Sequence, residues 1–272
     1  MTKLPPLQFA FVGPGNMSRA ISRGMQKKGL FAALPPLVCG RSSERQRAFE
    51  ESFGARSATL NEAVQQSDII FLAVKPKDVT QALEDWKNQP RKRQGLIISV
   101  IAGLPLNRLQ ELAGPQWRIL RGMPNTAVEI GEGVTAFCSE NASAEDWKIA
   151  ESIFSPLGKF LRLSENQMDA FTAASGSGIA FFFAMIEQMT AAAVEEGLSK
   201  EAALTAVSQA AVGAGRLCLE TGRTPKELRE VVTSPNGTTA AGLAAMQDKN
   251  FSDVVQAAVR AASHRSKELS KT

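Results

Sequence analysis

The sequence has no tyrosine, one histidine and three cysteines among its 272 residues. Cys39, Cys138 and Cys218 are far apart, sit in apolar contexts and have no metal-ligand spacing. That pattern excludes a cysteine-built metal centre and reads as core or surface thiols of a reducing, cytoplasmic compartment. His264 lies in a helical pattern near the C-terminus, where a surface or packing role is expected rather than an acid or a ligand. No uninterrupted apolar run approaches about 20 residues, so no membrane span is expected. Met1 to Leu7 has the form of neither a secretory signal nor a transit peptide. A dense basic tract is missing too. Arg91-Lys92-Arg93 comes nearest and reads as a solvated loop before a strand, which argues against nucleic acid as a partner. The formal charge of +4 is compatible with weak attraction for anionic substrates.

The length allows a large core and two domains. The stretch that organises the rest is Phe9-Ala10-Phe11-Val12-Gly13-Pro14-Gly15-Asn16-Met17-Ser18. An apolar run ends in Gly-Pro-Gly, and a helical pattern follows through Ala20, Ile21, Gly24 and Met25. This predicts a buried strand, a tight turn and a helix. Gly13 permits the turn, and Gly15 leaves room for a pyrophosphate beside the backbone. Ser18 is small enough for the helix to pack on the strand. The helix start offers unpaired N–H groups and partial positive charge. A strand before the glycines and a helix after them is the context that dinucleotide binding requires.

Leu37-Val38-Cys39 reads as the second strand, followed by Gly40-Arg41-Ser42-Ser43. An acid there would hold the 2′-hydroxyl of NAD, whereas Arg41 with Ser42 suits a 2′-phosphate, so NADP is favoured over NAD. A turn with a helix N-cap at Ser42 or Ser43 explains the same residues, and both readings can hold together. Asp68 to Val74 and Leu96 to Val100 are further buried strands, the first ending at Lys75-Pro76 and the second at Ile101-Ala102-Gly103. Strands alternating with helices predict a parallel sheet covered on both faces, with ligands outside the carboxyl ends of the strands. Trp117 to Arg121, Gly133 to Phe137 and Lys159 to Leu163 extend the sheet, with Met123-Pro124-Asn125-Thr126 between the first two. From about Glu165 strands vanish and alanine becomes abundant. The fold class is therefore α/β, a Rossmann-like dinucleotide-binding domain over 1–164 followed by an all-α domain over 165–272. Its small residues would let helices approach closely, which suits an intertwined dimer.

Two stretches of the helical half combine hydroxyls with backbone N–H groups, the equipment for a carboxylate. Ser175-Gly176-Ser177-Gly178 is expected as a loop opening the longest helix, and Ser234-Pro235-Asn236-Gly237-Thr238-Thr239 as another helix entry. Either one alone reads first as a capped helix entry with glycines for tight packing, and it is the pair beside a nucleotide-binding half that points to a site.

These segments, with Gly13 to Met17, Ala73-Val74-Lys75-Pro76, Ser99 to Gly103 and Met123 to Thr126, resemble in order and spacing the pyrroline-5-carboxylate reductase family over essentially the whole chain. The resemblance implies reduction of a cyclic imine to proline with NADPH, NADH also being possible. It implies a homodimer through the helical domain, in many cases built into larger rings. It places pyrophosphate near Gly15, Asn16 and Met17, and the adenosine end near Arg41, Ser42 and Asn61. The nicotinamide side falls on Ala73, Val74, Lys75, Pro76, Ala102 and Asn125. Substrate carboxylate falls on Ser234, Gly237, Thr238 and Thr239, with Thr239 also facing the ring nitrogen. Ile179 and Phe181 stand where the family commonly has Pro and Tyr, and Asn236 where it has Gly. Those departures bear on substrate choice.

A protonated imine is already electrophilic, so such a site needs positioning more than a strong acid. The absence of His, Cys or acid in either hydroxyl stretch agrees, and the resemblance, which puts Thr239 at the ring nitrogen, makes it the candidate catalytic residue. Three alternatives remain. A hydroxy-acid dehydrogenase would carry a lysine, which Ile179 to Met185 lacks. A related enzyme would reduce a six-membered cyclic imine carboxylate. A non-catalytic NADP-binding protein would need neither hydroxyl stretch.

Overall fold

The run Phe9–Val12 forms β1, an inner strand, in the computed structural model, which describes residues 6–87 and 95–270. The basic tract Arg91-Lys92-Arg93 and the first five residues lie outside the described set. After β1 come α1 (Asn16–Lys27), β2 (Leu37–Cys39), α2 (Ser43–Phe53), β3 (Arg56–Ser57), α3 (Leu60–Gln66) and β4 (Ile69–Leu72). A single 3-10 turn, Pro76–Asp78, leads into α4 (Val79–Lys87). Then follow β5 (Gly95–Ser99), α5 (Leu106–Ala113), β6 (Trp117–Pro124), β7 (Gly133–Cys138), α6 (Ala144–Phe154) and β8 (Gly158–Arg162).

The strand order is β3-β2-β1-β4-β5-β6-β7-β8. Every residue of β1, β4 and β5 is buried, as strands covered on both faces require. Side chains alternate between the faces. Phe9, Phe11, Ile69 and Phe71 pack with Ile21 of α1, Phe49 of α2 and Phe154 of α6. Ala10, Val12, Ile70 and Leu72 pack with Val64 of α3, Leu83 of α4 and Leu109 of α5. Phe11 and Phe71, paired across β1 and β4, stack at 4.7 Å between ring centroids.

The sheet is not parallel throughout. β7 runs antiparallel to β6, and β8 is parallel to β7. The connection after β6 is one short 3-10 turn, Thr126–Ile130, too short for the helical crossover that a parallel pair needs. β6 also runs on through Met123 and Pro124, which the sequence reading placed between strands.

Contacts divide the chain into two units. One comprises the residues up to Ser177 together with those from Ala262 onward; the other is Gly178–Ala261. In the first, α7 (Met168–Phe171) leads into a π-helical turn, Thr172–Ser177. Ser175-Gly176-Ser177 is therefore not a loop but part of a continuous helical run, Glu165–Glu195. The C-terminal segment is tied in by Ser266, whose hydroxyl donates to Asp169 Oδ1 at 2.6 Å.

The second unit holds α8 (Gly178–Glu195), α9 (Lys200–Glu220), α10 (Pro225–Val231), α11 (Thr238–Asp248) and the start of α12 (Phe251–Leu269). Ser199 caps α9 by accepting from the Ala202 N–H, and Thr224 caps α10 with Pro225 in its first turn. Few of its side chains are buried. Phe182 is 66% and Phe183 59% exposed, and Val212 and Leu217 are exposed as well. The runs Glu165–Glu195 and Lys200–Glu220 are long and apolar enough, by length and composition, to cross a membrane. The absence of an uninterrupted apolar run hides this, because scattered Glu, Gln and Thr break the run while the stretch as a whole stays apolar on average.

Candidate functional site

β1 stops at Val12 because Gly13 takes a φ of +95°, a conformation that side chains disfavour. A Cβ there would also lie 2.7 Å from the Ala73 carbonyl oxygen. The turn is thus pressed against the backbone leaving β4, which brings two sequence segments to one edge of the sheet. Ser18, fully buried, donates to the Gly13 carbonyl at 2.6 Å and locks helix to turn. α1 then begins with Gly15 as its N-cap, with no side-chain cap and no acid in its first turn.

That helix start opens into a cleft of about 1380 Å³. Gly13, Gly15, Asn16, Met17, Arg41, Ser42, Ala73, Val74, Lys75, Pro76 and Ala102 all line it. A Cβ on Gly15 would meet no protein atom within 4 Å, so the space beside that backbone belongs to the cleft. Uncapped N–H groups, this free space and nearby guanidinium and ammonium groups together fit an elongated, phosphate-bearing ligand. Asn61 stands on the first turn of α3, exposed and outside the lining, although its neighbours Thr59, Leu60 and Glu62 belong to it.

Around the rim, Ser42 caps α2 by accepting from the Arg45 N–H at 3.3 Å. Glu62 closes a capping box with Thr59, and the N–H and hydroxyl of Thr59 hold its carboxyl below the usual range. Arg41 is ion-paired with Asp78. Burial pushes the Cys39 thiol up to about 11, so it is no nucleophile at neutral pH.

Asn125 follows β6. Its amide donates to the Ser175 hydroxyl at 3.3 Å, and its carbonyl accepts from the Val134 N–H at 3.4 Å. Ser175 and Ser177 both belong to the π-helical turn, a distortion often found at functional sites. Beside it, a partly buried cluster fixes the start of the helical run. Glu165 pairs with Arg121 and accepts from the Cys138 thiol at 2.8 Å. Burial first, and then the Glu165 carboxylate, raise the Cys138 thiol well above the ordinary range.

In the second unit, Ser234, Gly237, Thr238 and Thr239 gather at the N-terminus of α11. Asn236 takes φ +58°, the left-handed conformation that asparagine tolerates best after glycine. A Cβ on Gly237 would lie 2.4 Å from the Ser234 hydroxyl, which would have to turn away to admit it. Gly237 is the N-cap, no side chain caps the helix, and its first turn holds no acid. Ser234, Thr238 and Thr239 are exposed. Uncapped backbone N–H groups and three hydroxyls thus stand together at this helix start.

A family model described as pyrroline-5-carboxylate reductase dimerisation matches residues 165–269, and one described as NADP oxidoreductase, coenzyme F420-dependent, matches residues 8–103. The pyrroline-5-carboxylate reductase of Methanosarcina acetivorans is 38% identical over 269 residues, spanning 97% of this chain and 98% of that protein. The chain belongs to the pyrroline-5-carboxylate reductase family. The Arabidopsis thaliana member is likewise 38% identical, over 97% of this chain and 96% of its own. The Plasmodium falciparum pyrroline carboxylate reductase, solved with NADP bound, superposes with a TM-score of 0.87 at 29% identity, over 97% of this chain and 98% of that one.

Several residues of this family member's cleft escaped the sequence reading. Arg45 and Gln46 enter from the first turn of α2, Thr59 and Glu62 from the start of α3, and Lys77 and Asp78 from the turn after β4. Arg45 carried a signal, since it sits three residues beyond a capping serine. Asp78 carried none, because it reaches Arg41 only through the fold.

Proposed function

We propose that this protein reduces L-1-pyrroline-5-carboxylate to L-proline with NADPH, the last step of proline biosynthesis. The carrying observation is the uncapped start of α1 at the base of a cleft lined by Gly13 to Met17, Arg41 and Ser42. Similarity along the whole chain to enzymes bearing that name supports the same reading. Bound NADPH supplies a hydride for the imine carbon. The first unit holds the cofactor: the first turn of α1 takes the pyrophosphate, Arg41 and Ser42 the 2′-phosphate, and Ala73 to Pro76 with Ala102 and Asn125 the nicotinamide side. Asn61 belongs to the adenosine end in this reading. At the start of α11, backbone N–H groups with Ser234 and Thr238 take the substrate carboxylate, and Ser175 and Ser177 add hydroxyls for substrate. The Thr239 hydroxyl stands at the ring nitrogen and accepts a hydrogen bond from the N–H of the protonated imine. No acid stands in the first turn of α11, and none is required once the imine is protonated.

Residues 165–272 serve in this reading as the substrate-binding and dimerisation part. Two copies bury the exposed apolar sides of α8 and α9, and dimers can build larger assemblies. A partner copy accounts for the apolar helices better than a lipid phase does, since they lie within the stretch matched as a dimerisation domain. Three free cysteines suit a reducing cytoplasm. The deciding experiment follows NADPH absorbance with pyrroline-5-carboxylate and with six-membered cyclic imine carboxylates, and identifies the product. Turnover to proline is expected. Faster reduction of the six-membered ring would transfer the activity to that substrate, and no turnover with any imine would leave a dinucleotide-binding protein.

A further inference from the structure

An acid just beyond the second strand of this fold is the ordinary partner of an adenosine 2′-hydroxyl, and this chain has Gly40 and Arg41 there instead. The structure brings an acid to the same place from elsewhere. Asp78, the last residue of the turn after β4, pairs with the Arg41 guanidinium, and both line the cleft. Their settings differ. The Arg41 side chain is 75% exposed, whereas that of Asp78 is 17% exposed and set into the wall. The Asp78 N–H donates to the Lys75 carbonyl at 2.8 Å, which fixes its backbone. The residue also stands directly before α4, where a helix dipole favours a carboxylate.

We propose that Asp78 is a cofactor-specificity residue, its carboxylate accepting the adenosine 2′-hydroxyl of NADH while Arg41 serves the 2′-phosphate of NADPH. The inference rests on the dinucleotide reading above. One point of the cleft then offers both charges, and each cofactor uses one of them. With NADH, Arg41 keeps its partner and the carboxylate accepts one more donor. With NADPH, the guanidinium turns to the phosphate. A pair with so exposed a guanidinium opens at little cost. The carboxylate then faces a dianion, so Asp78 holds the preference for NADPH below what Arg41 alone would set.

The test is calorimetric binding of NADPH, NADH, 2′,5′-ADP and 5′-AMP to the full chain and to two variants. Asp78→Ala removes the acceptor. It should raise the Kd of NADH and 5′-AMP about three- to tenfold, the size of one hydrogen bond, without raising that of NADPH. Asp78→Asn keeps an acceptor and removes the charge. It should tighten NADPH and 2′,5′-ADP several-fold and change NADH less. If Asp78→Ala weakens NADPH as much as NADH, Asp78 merely holds Arg41 in place and the proposal is overturned. Unchanged affinities overturn it as well. Should the unaltered chain bind none of the four ligands, the dinucleotide reading itself falls and takes this inference with it.

Discussion

The two units treat their apolar residues in opposite ways. In the first, Phe11, Phe71 and Phe137 are fully buried, and the sheet has apolar clusters on both faces. In the second, Phe182, Phe183, Val212 and Leu217 face outward, and Ala203 and Val207 are its buried hydrophobic residues. A sheet covered by helices on both sides closes its own core. Helices that pair along one face only leave another face bare, and an apolar face of that extent marks an interaction surface. The first unit thus closes its own core and carries a cleft, and the second leaves an apolar face bare and carries an uncapped helix start rich in hydroxyls.

The sharpest way to break this comparison is to charge the bare face. Phe182→Asp with Phe183→Asp would place two carboxylates in a buried interface. Loss of at least about 4 kcal/mol of association, roughly a thousandfold in dimer Kd, is expected. Light scattering at micromolar concentration should then show monomer, with NADPH affinity retained. An unaltered oligomer, or a monomeric parent protein, would mean that this face is not the interface.

Next comes the polar feature of the second unit. Thr239→Val keeps the shape and removes the hydroxyl, so kcat should fall about ten- to a thousandfold, 1.4 to 4 kcal/mol. Cofactor affinity, assigned to the first unit, should hardly move. Full kcat in stopped-flow assays would reduce Thr239 to part of a helix entry.

The converse change is Gly13→Ala. Its Cβ would collide with the Ala73 carbonyl at a φ unsuited to alanine. A stability loss of about 2 to 3 kcal/mol is expected in urea unfolding, with weakened NADPH binding and an unchanged oligomer. Retained NADPH affinity would dissociate the turn from the cofactor.

The smallest effect concerns the first unit alone. Arg118 Nε donates to Asp146 at 2.6 Å. Burial would raise the Asp146 pKa, but hydrogen bonds from Arg118 and Ser143 outweigh it and hold the carboxyl below its usual value. A depressed native pKa adds stability above the unfolded pKa of about 4, and that stability is lost as pH falls through the lower native value. Asp146→Asn should therefore cost about 2 kcal/mol at neutral pH and less near pH 3. An equal cost at both pH values would show that shape, not charge, sets the contribution.

Local chemistry was legible in the sequence. Phe9 to Val12, Ile69 to Leu72 and Leu96 to Ser99 announce buried strands through unbroken apolar runs. Gly13-Pro14-Gly15 announces the turn, and Ser42 announces a helix start, because each signal acts within a few residues. Tertiary structure alone decided the rest. β3 is Arg56–Ser57, two exposed polar residues with no periodic signature, paired only because β2 lies beside them. The reversal at β7 follows from the length of a connection, not from the strands. Ser175 to Ser177 became a π-helical turn within one helical run, where hydroxyls and glycines suggested a loop. Arg41 with Asp78, and Glu165 with Arg121 and Cys138, join residues far apart in the chain. Charge partnership of that kind depends on distance in space, and a sequence records distance only along the backbone.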